Sequence, residues 1–217
     1  MSINERHRDE RLREAIIVGD RDVVVEIVRE AVENNEDVVE LLNATLIPAL
    51  RHVGDLFSTG EVFLPEMLVA ARAMQGGIDL IDPLLGQSGH KSVAKVCVGT
   101  VKGDIHDIGK NLVVMMLKGS GFEVEDLGVD CQIEDYESGV ERGAEVVCMS
   151  ALLSTTRDEM RPVADHFSDR DGVVVVVGGA VVNQEFADEI GADGYGTDAS
   201  DAVRAVRESL GLEAITS

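Results

Sequence analysis

Aromatic residues and cysteine are scarce in this sequence, and each shortage excludes a class of protein. Aromatic residues make up 3% of the 217 residues, with no tryptophan, while 45% are hydrophobic. A core of aliphatic side chains favours a buried parallel sheet packed by helices over an aromatic binding platform. Three scattered cysteines, Cys97, Cys131 and Cys148, are too few for a disulfide framework, and no pair has the spacing of zinc ligands.

Targeting segments are lacking as well. The N-terminus has no apolar segment of the kind that a signal peptide needs. No apolar run approaches the length of a bilayer span. We therefore expect a cytoplasmic protein.

Positive charge is in short supply. With 19 Lys and Arg against 41 Asp and Glu, the formal net charge is -22. Such a surface repels phosphate backbones and anionic lipids, so we expect no nucleic-acid partner and no membrane partner. Cations and basic protein faces are the complementary partners. An adaptation to high intracellular salt is a second interpretation of the acidity.

The hydrophobic period divides the chain into two parts. Up to residue 85 apolar residues recur at helical spacing on one side of each segment, which predicts a bundle of about four helices. A polar, glycine-bearing stretch at 86–91 predicts a linker. Beyond it strands alternate strictly with helices, which is typical of a doubly wound, Rossmann-like parallel sheet. The predicted strands are Val93–Val101, Phe122–Leu127, Glu145–Ser150 and Gly172–Val177, and a further short element is expected at Gly194–Gly196. We predict an α/β protein with a helical domain at 1–88 and a sheet domain at 89–217.

Three segments follow strand ends, where ligands bind in such sheets. They are Gly103–Asn111, Ser150–Thr156 and Gly178–Ala180. The first matches neither a dinucleotide fingerprint nor a P-loop, because its glycine spacing differs from both. It holds a histidine, His106, with Asp104 two residues before it, so a metal ligand has a carboxylate nearby to orient it. Small residues in the other segments leave room for a long, thin ligand.

These residues resemble a known family. Asp104-x-His106-x-x-Gly109, followed by Ser150-x-Leu152 and Gly178-Gly179, is similar to the motif of cobalamin-binding domains such as that of methionine synthase. The stretch Gly54–Pro65 resembles the helical cap domain of the same family. The chain as a whole looks like the small corrinoid proteins of methanol and methylamine methyltransferase systems.

The resemblance implies a role for each matching residue. His106 would be the lower axial ligand of cobalt in place of the cofactor's own base, the base-off, His-on state. Asp104 and Thr156 would form a proton relay behind it, which couples protonation to the methylation state of the cobalt. Phe57 and Leu64 would shield the upper face, and the linker would act as a hinge. The predicted cofactor-binding residues are Phe57, Leu64, Gly103, Asp104, Ile105, His106, Asp107, Gly109, Ser150, Leu152, Ser154, Thr156, Gly178, Gly179 and Ala199.

The implied function is that of a non-catalytic carrier. It accepts a methyl group on cobalamin or a related corrinoid from a substrate:corrinoid methyltransferase and delivers it to a second methyltransferase, with coenzyme M or tetrahydrofolate as acceptor. A reductive activase is a third candidate partner. The donor stays open among methanol, methylamines, betaine, methoxylated aromatics and methylthiols. The alternatives are the cobalamin subunit of an adenosylcobalamin mutase, a cobalamin-dependent sensor, and a flavodoxin-like domain without cofactor.

Overall fold

The computed structural model describes residues 3–87 and 92–212. The chain divides into two compact units. The first contains the N-terminal helices together with the short segment Gly119–Gly121, and the second contains the rest of the chain from Val93. The predicted boundary at residue 88 stays a prediction, because 88–91 lie outside the described residues.

The first unit is helical, as its hydrophobic period predicts. Its elements are α1 (Ile3–Val18), α2 (Arg21–Glu33), α3 (Val38–Leu41), a π-helical turn (Leu42–Leu46), α4 (Ile47–Ser58) and α5 (Leu64–Gln87). Asp20 caps α2 by accepting a hydrogen bond from the amide of Val23, and Asp37 caps α3 in the same way. The helix α3 continues through the π-helical turn into α4, so the described part of this unit contains four helical rods.

The second unit is a parallel sheet with helices between its strands. The strands are β1 (Lys95–Val101), β2 (Glu123–Cys131), β3 (Val146–Ser150), β4 (Val174–Gly178) and β5 (Gly194–Gly196). The helices are α6 (Ile108–Gly119), α7 (Ile133–Glu141), α8 (Met160–Phe167), α9 (Gln184–Glu189) and α10 (Ala199–Ser209), with a 3₁₀ turn at Arg157–Glu159. Among the described residues the strand order is β2-β1-β3-β4-β5, and all neighbours are parallel. The predicted doubly wound sheet is therefore confirmed.

The strand order reverses between β1 and β3, and this reversal distributes the helices over both faces of the sheet. Right-handed crossovers place α6 on one face and α7, α8 and α9 on the other. Because side chains alternate along a strand, each central strand contributes to both faces. The face of α7, α8 and α9 is filled by a continuous apolar core that includes Cys97, Val147, Val175, Tyr136 and Phe167.

Some predicted boundaries differ from the structure. The helix α5 runs through Gly86 and Gln87, so the predicted linker is wrong at its start. A single glycine costs a helix only about 1 kcal/mol and does not by itself end it. The strand β2 continues past its predicted end at Leu127 to Cys131. No helix in the described ranges is both long and apolar enough to cross a bilayer.

Candidate cofactor site

The loop after β1 begins with a tight turn that buries an aspartate. The amide of Asp104 donates to the carbonyl of Val101 at 3.1 Å, and Gly103 takes a φ of +77° that side chains disfavour. The turn directs Asp104 inward, where its side chain is 0% exposed. Thr100, the buried residue before Val101, donates its hydroxyl to the carbonyl of His106 at 2.9 Å. The loop that carries the histidine is therefore held from both of its ends.

The carboxylate of Asp104 is the centre of a hydrogen-bond network. Its Oδ1 accepts from the amide of His106 at 3.0 Å and lies 2.7 Å from Nδ1 of the same residue. Its Oδ2 accepts from the hydroxyl of Thr156 at 2.7 Å. The amides of Leu152 and Leu153 donate to Oδ2 at 2.8 and 3.3 Å. One buried carboxylate thus joins the loop after β1 to the loop after β3.

These contacts decide the protonation state of Asp104. Burial alone would raise the pKa of this carboxyl, but the hydrogen bonds from Leu152, His106 and Thr156 outweigh it and hold the pKa well below the ordinary 3.8. An ionised carboxylate has no hydrogen to give, so Nδ1 of His106 must carry the proton in their shared hydrogen bond. In the neutral ring the lone pair then resides on Nε2.

His106 has the accessibility that a metal ligand requires. Its side chain is 45% exposed, and no residue in the described part of the chain hydrogen-bonds to Nε2. Nowhere in residues 3–87 and 92–212 do three or more His, Cys, Asp or Glu side chains come together to hold a metal ion. A single imidazole suits a metal that arrives with its other positions filled, and cobalt in a corrin ring is such a metal.

A cavity of about 600 Å³ opens beside the histidine. Its inner wall consists of buried apolar side chains from β1, β3, β4 and α10, namely Val98, Cys148, Val176 and Ala202, together with the half-buried Val113 of α6. This wall lies on the sheet face opposite the core of α7, α8 and α9. The volume is in the range of small-molecule sites, and the apolar lining suits an aromatic ring system.

Glycine is required at the end of β4, where the chain lines the cavity. A side chain at Gly179, whose φ is +119°, would place its Cβ 2.0 Å from the carbonyl oxygen of Ala151. At Gly178 a Cβ would lie 3.0 Å from the carbonyl oxygen of Gly196. The amide of Ala151 also donates to the carbonyl of Gly178 at 3.2 Å. The ends of β3, β4 and β5 are therefore packed backbone to backbone, and the space between them is kept free of side chains.

The mouth of the site is apolar and exposed. Among the residues that line the cavity, Ile105 is 76%, Ile108 64% and Leu152 42% exposed. Large side chains of this kind, gathered around one cavity, mark a ligand-binding surface more often than a free surface. A flat, largely apolar ring lying over them would remove them from water.

The structure brings most of the predicted residues together. Asp104, His106 and Thr156 form the network, and nine predicted residues line the cavity, namely Ile105, His106, Asp107, Gly109, Ser150, Leu152, Gly178, Gly179 and Ala199. Gly103 contributes through its turn. Ser154 is exposed and does not line the cavity. Phe57, half-buried on α4, and Leu64, at the start of α5, belong to the helical unit, and their proposed contact with the cofactor stays a prediction.

Several residues that support the site were not predicted. Thr100 holds the loop, and a buried hydroxyl in an otherwise apolar strand could have pointed to it. Lys110 is 2% exposed on α6, where its ammonium group pairs with Asp126 and lies 2.7 Å from Oδ1 of Asn111. Asp130 contacts the turn before Asp104, and only the folded backbone reveals this contact.

Two regions of the chain match known protein families. Residues 94–204 match the family described as the B12 binding domain. A second family, also described as a B12 binding domain, matches residues 8–81. The two matches fall on the sheet unit and on the helical unit, and together they account for most of the chain.

Relatives and solved structures agree with these matches. A corrinoid protein of Desulfitobacterium hafniense is 38% identical over 207 residues, which cover 92% of this chain and 96% of the relative. A trimethylamine corrinoid protein of Methanosarcina barkeri is 41% identical over 92% of this chain and 95% of its own. A crystal structure of the methanol:cobalamin methyltransferase complex of Methanosarcina barkeri matches with a TM-score of 0.82 and 30% identity, over 96% of this chain and 82% of that one. The chain belongs to the B12-binding family of corrinoid proteins.

Proposed function

We propose that the chain is a carrier that holds a cobalamin-type corrinoid and moves methyl groups between partner methyltransferases. The observation that carries the proposal is the pairing of His106 with the buried Asp104 at the mouth of an apolar, glycine-walled cavity. When bound, the corrinoid supplies a cobalt that can accept a methyl group and give it up again. The protein's own residues hold this group, orient it and manage the proton that accompanies a change of ligand.

His106 is the proposed lower axial ligand. Its Nδ1 donates to Asp104, which fixes the tautomer and the ring plane. This arrangement supports the base-off, His-on state, because an imidazole in this position takes the place of the cofactor's own base. The displaced tail would then enter the cavity beside Ser150 and Gly178.

Asp104 and Thr156 are the proposed relay. When Nε2 is not a ligand it can take a proton, and the carboxylate of Asp104 balances the charge of the resulting imidazolium. The Thr156 hydroxyl has one hydrogen and two acceptors within reach, Oδ2 of Asp104 at 2.7 Å and the carbonyl of Leu153 at 3.0 Å. Rotation of this hydroxyl therefore changes how strongly the carboxylate is solvated while the backbone stays in place.

The names of the relatives support partner methyltransferases and a methylamine as donor. Relatives that match nine-tenths or more of this chain include trimethylamine and dimethylamine corrinoid proteins of Methanosarcina species. We infer that a substrate:corrinoid methyltransferase loads the carrier and that a second methyltransferase unloads it onto coenzyme M or tetrahydrofolate. We further propose that a reductive activase is a third partner and that the protein is cytoplasmic. Phe57 and Leu64 would shield the methyl group, and a helical domain ending at 88 would move aside for each transfer.

The test is reconstitution with hydroxocobalamin followed by gel filtration. We expect the cofactor to elute with the protein. After reduction to the cob(II) state, the electron paramagnetic resonance spectrum should show coupling to one ¹⁴N nucleus, and this coupling should change when the protein alone is labelled with ¹⁵N-histidine. A colourless protein fraction would contradict the proposed function, and an unchanged spectrum would remove histidine from the cobalt. Reduction to cob(I) and a screen of methylamines and methanol with purified partner methyltransferases then identify the donor.

A further inference from the structure

The end of β2 is irregular next to the site. The register between β1 and β2 shifts twice, between Val98 and Gly99 and again between Gly99 and Val101. Two β2 residues in this region, Gly128 and Asp130, have positive φ values of +88° and +55°. Bulges of this kind bend a strand and redirect its side chains, and they are frequent next to functional sites.

The bend places Asp130 against the turn that carries Asp104. The carboxylate of Asp130 accepts a hydrogen bond from the amide of Gly103 at 2.6 Å. In the opposite direction, the amide of Asp130 donates to the carbonyl of Asp104 at 3.0 Å. One residue of β2 therefore holds the backbone on both sides of the Gly103–Asp104 peptide. We call this pair of hydrogen bonds the Asp130 clamp.

The conformation of Asp130 has a cost that packing does not explain. A non-glycine residue at positive φ loses about 1 kcal/mol of backbone energy, and Asp130 is exposed, so no apolar burial offsets this loss. Within the described ranges Asn35 is the other non-glycine residue at positive φ, with the same value of +55°. It follows α2, where helix ends commonly adopt this conformation. At Asp130 the two hydrogen bonds to the Gly103–Asp104 turn offset the backbone energy that is lost at positive φ.

We propose that Asp130 is a positioning residue, which holds the Gly103–Asp104 turn so that the carboxylate of Asp104 meets the ring of His106. The inference rests on the proposed function as far as the cofactor is concerned, but the clamp itself is a property of the protein alone. Asp104 receives hydrogen bonds from two loops, and a small rotation of its backbone would misalign the bond to Nδ1. A displaced carboxylate would leave the imidazole free to rotate away from the position of an axial ligand.

Three variants distinguish the effect of the hydrogen bonds in the Asp130 clamp from the effect of backbone strain at positive φ. Asp130→Asn keeps an oxygen acceptor and tolerates positive φ, so it should retain the properties of the wild type. Asp130→Gly relieves the strain but removes the acceptor. Asn35→Gly relieves the same φ in the helical unit and is the matched control. We expect Asp130→Gly alone to bind hydroxocobalamin about tenfold more weakly, the order of one lost hydrogen bond to a charged group.

Two further measurements distinguish positioning from general stability. In the cofactor-free protein, the Gly103 amide should exchange with solvent at least about tenfold faster in Asp130→Gly, while the thermal midpoint changes little. In the cob(II) protein, the fraction of molecules with coupling to histidine nitrogen should fall, and Asp130→Asn should restore it.

The outcomes are separable. If Asp130→Gly keeps full affinity and full histidine coupling, Asp130 does not position the relay. If the Gly103 amide of the wild type exchanges as fast as an open amide, the clamp does not exist in solution, and this result needs no substitution. If the wild type fails to bind hydroxocobalamin, the proposed function fails, and the exchange of Gly103 still decides on the clamp.

Discussion

His106 and Asp104 are joined through both the backbone and the side chain of the histidine. The carboxylate Oδ1 accepts from the His106 amide at 3.0 Å and lies 2.7 Å from Nδ1 of its ring. The same oxygen therefore sets the direction of the residue and the rotation of its imidazole. Because Oδ2 is occupied by donors from the loop after β3, the ring is indirectly tied to a second strand end. Each partner in this chain of contacts can be removed separately.

Replacing His106 by alanine should separate cofactor binding from cobalt ligation. The cavity remains intact in His106→Ala, so we expect the variant to bind cobalamin through its tail while the visible spectrum of the bound cofactor shifts. Absorption spectra of the reconstituted proteins give the measurement. His166→Ala is the matched control, since His166 bonds to Glu137 on the other face of the sheet. A spectrum identical to that of the wild type would exclude His106 as the axial ligand.

Replacing Asp104 by asparagine should destabilise the protein in a pH-dependent way. The amide group of Asp104→Asn must turn an N–H₂ towards a buried donor, so we expect about 3 kcal/mol less free energy of unfolding at neutral pH. The folded pKa of Asp104 lies below its ordinary 3.8, so its ionised form stabilises the fold above that pH. As the pH falls below 3.8 towards the lower folded pKa, the wild type loses this contribution and the difference between the proteins narrows.

Urea unfolding of both proteins between pH 7 and pH 3 is the measurement. Asp37→Asn serves as the control, because asparagine caps a helix as well as aspartate does and should leave the unfolding free energy unchanged. A difference between Asp104→Asn and the wild type that stays constant down to pH 3 would contradict the assignment of a low pKa.

Thr156 should matter through its hydroxyl rather than its shape. Thr156→Val removes a buried donor from a carboxylate at nearly constant volume, and we expect a loss of about 2 kcal/mol in unfolding free energy. Thr156→Ser keeps the donor and loses one methyl group, which costs about 1 kcal/mol. In the cob(II) protein, Thr156→Ser should keep histidine coupling like the wild type, while Thr156→Val should reduce it. Equal behaviour of the two variants would remove the hydroxyl from the relay.

Gly179, the glycine directly after β4, should be irreplaceable for steric reasons. Gly179→Ala places a Cβ 2.0 Å from the carbonyl oxygen of Ala151, so the strand ends must separate and the cavity must change shape. We expect cobalamin binding, measured by equilibrium dialysis, to be lost. Gly191→Ala is the control, because Gly191 has a φ of +71° but nothing within 4 Å of the added carbon. It should cost about 1 kcal/mol of stability through backbone strain and leave binding intact.

The two tyrosines should respond in opposite ways to removal of the hydroxyl. Tyr136 is fully buried, and its hydroxyl has no hydrogen-bond partner among the residues that the structure describes. Tyr136→Phe removes an unsatisfied polar group and should be neutral or stabilising. The hydroxyl of Tyr195 donates to the carbonyl of Val182 at 3.0 Å, so Tyr195→Phe should lose about 1 kcal/mol. Thermal unfolding compares the two, and a clear loss of stability in Tyr136→Phe would reveal a hidden partner.

The architecture could be predicted from the sequence because hydrophobic patterns within short segments determine the helices and strands. Hydrophobic patterns predicted β1 to β4, the fifth strand was expected only as a short element at Gly194–Gly196, and small residues at strand ends predicted the open cavity. His106 and Asp104 were accessible to prediction because they stand two residues apart in one loop, so their contact depends little on the rest of the fold.

Contacts between distant segments were not predictable in the same way. The amides of Leu152 and Leu153 satisfy Asp104, yet a backbone donor leaves no trace in a sequence. The charged run at the end of β2 does not alternate like a strand, and its bulges hid both the extension to Cys131 and the role of Asp130. Lys110 resembles an ordinary surface lysine until Asp126 is found beside it.

Because apolar side chains surround the mouth of the cavity, the stability and the self-association of this protein should depend on the supply of cofactor. When corrinoid is plentiful, the bound cofactor covers the mouth of the cavity and adds to the stability of the chain. In a chain synthesised without corrinoid, these apolar side chains stay exposed and can associate with other apolar surfaces. The net charge of -22 works against such adhesion, because molecules of equal sign repel each other before their rims can meet. The same negative charge thus keeps chains without cofactor apart from one another.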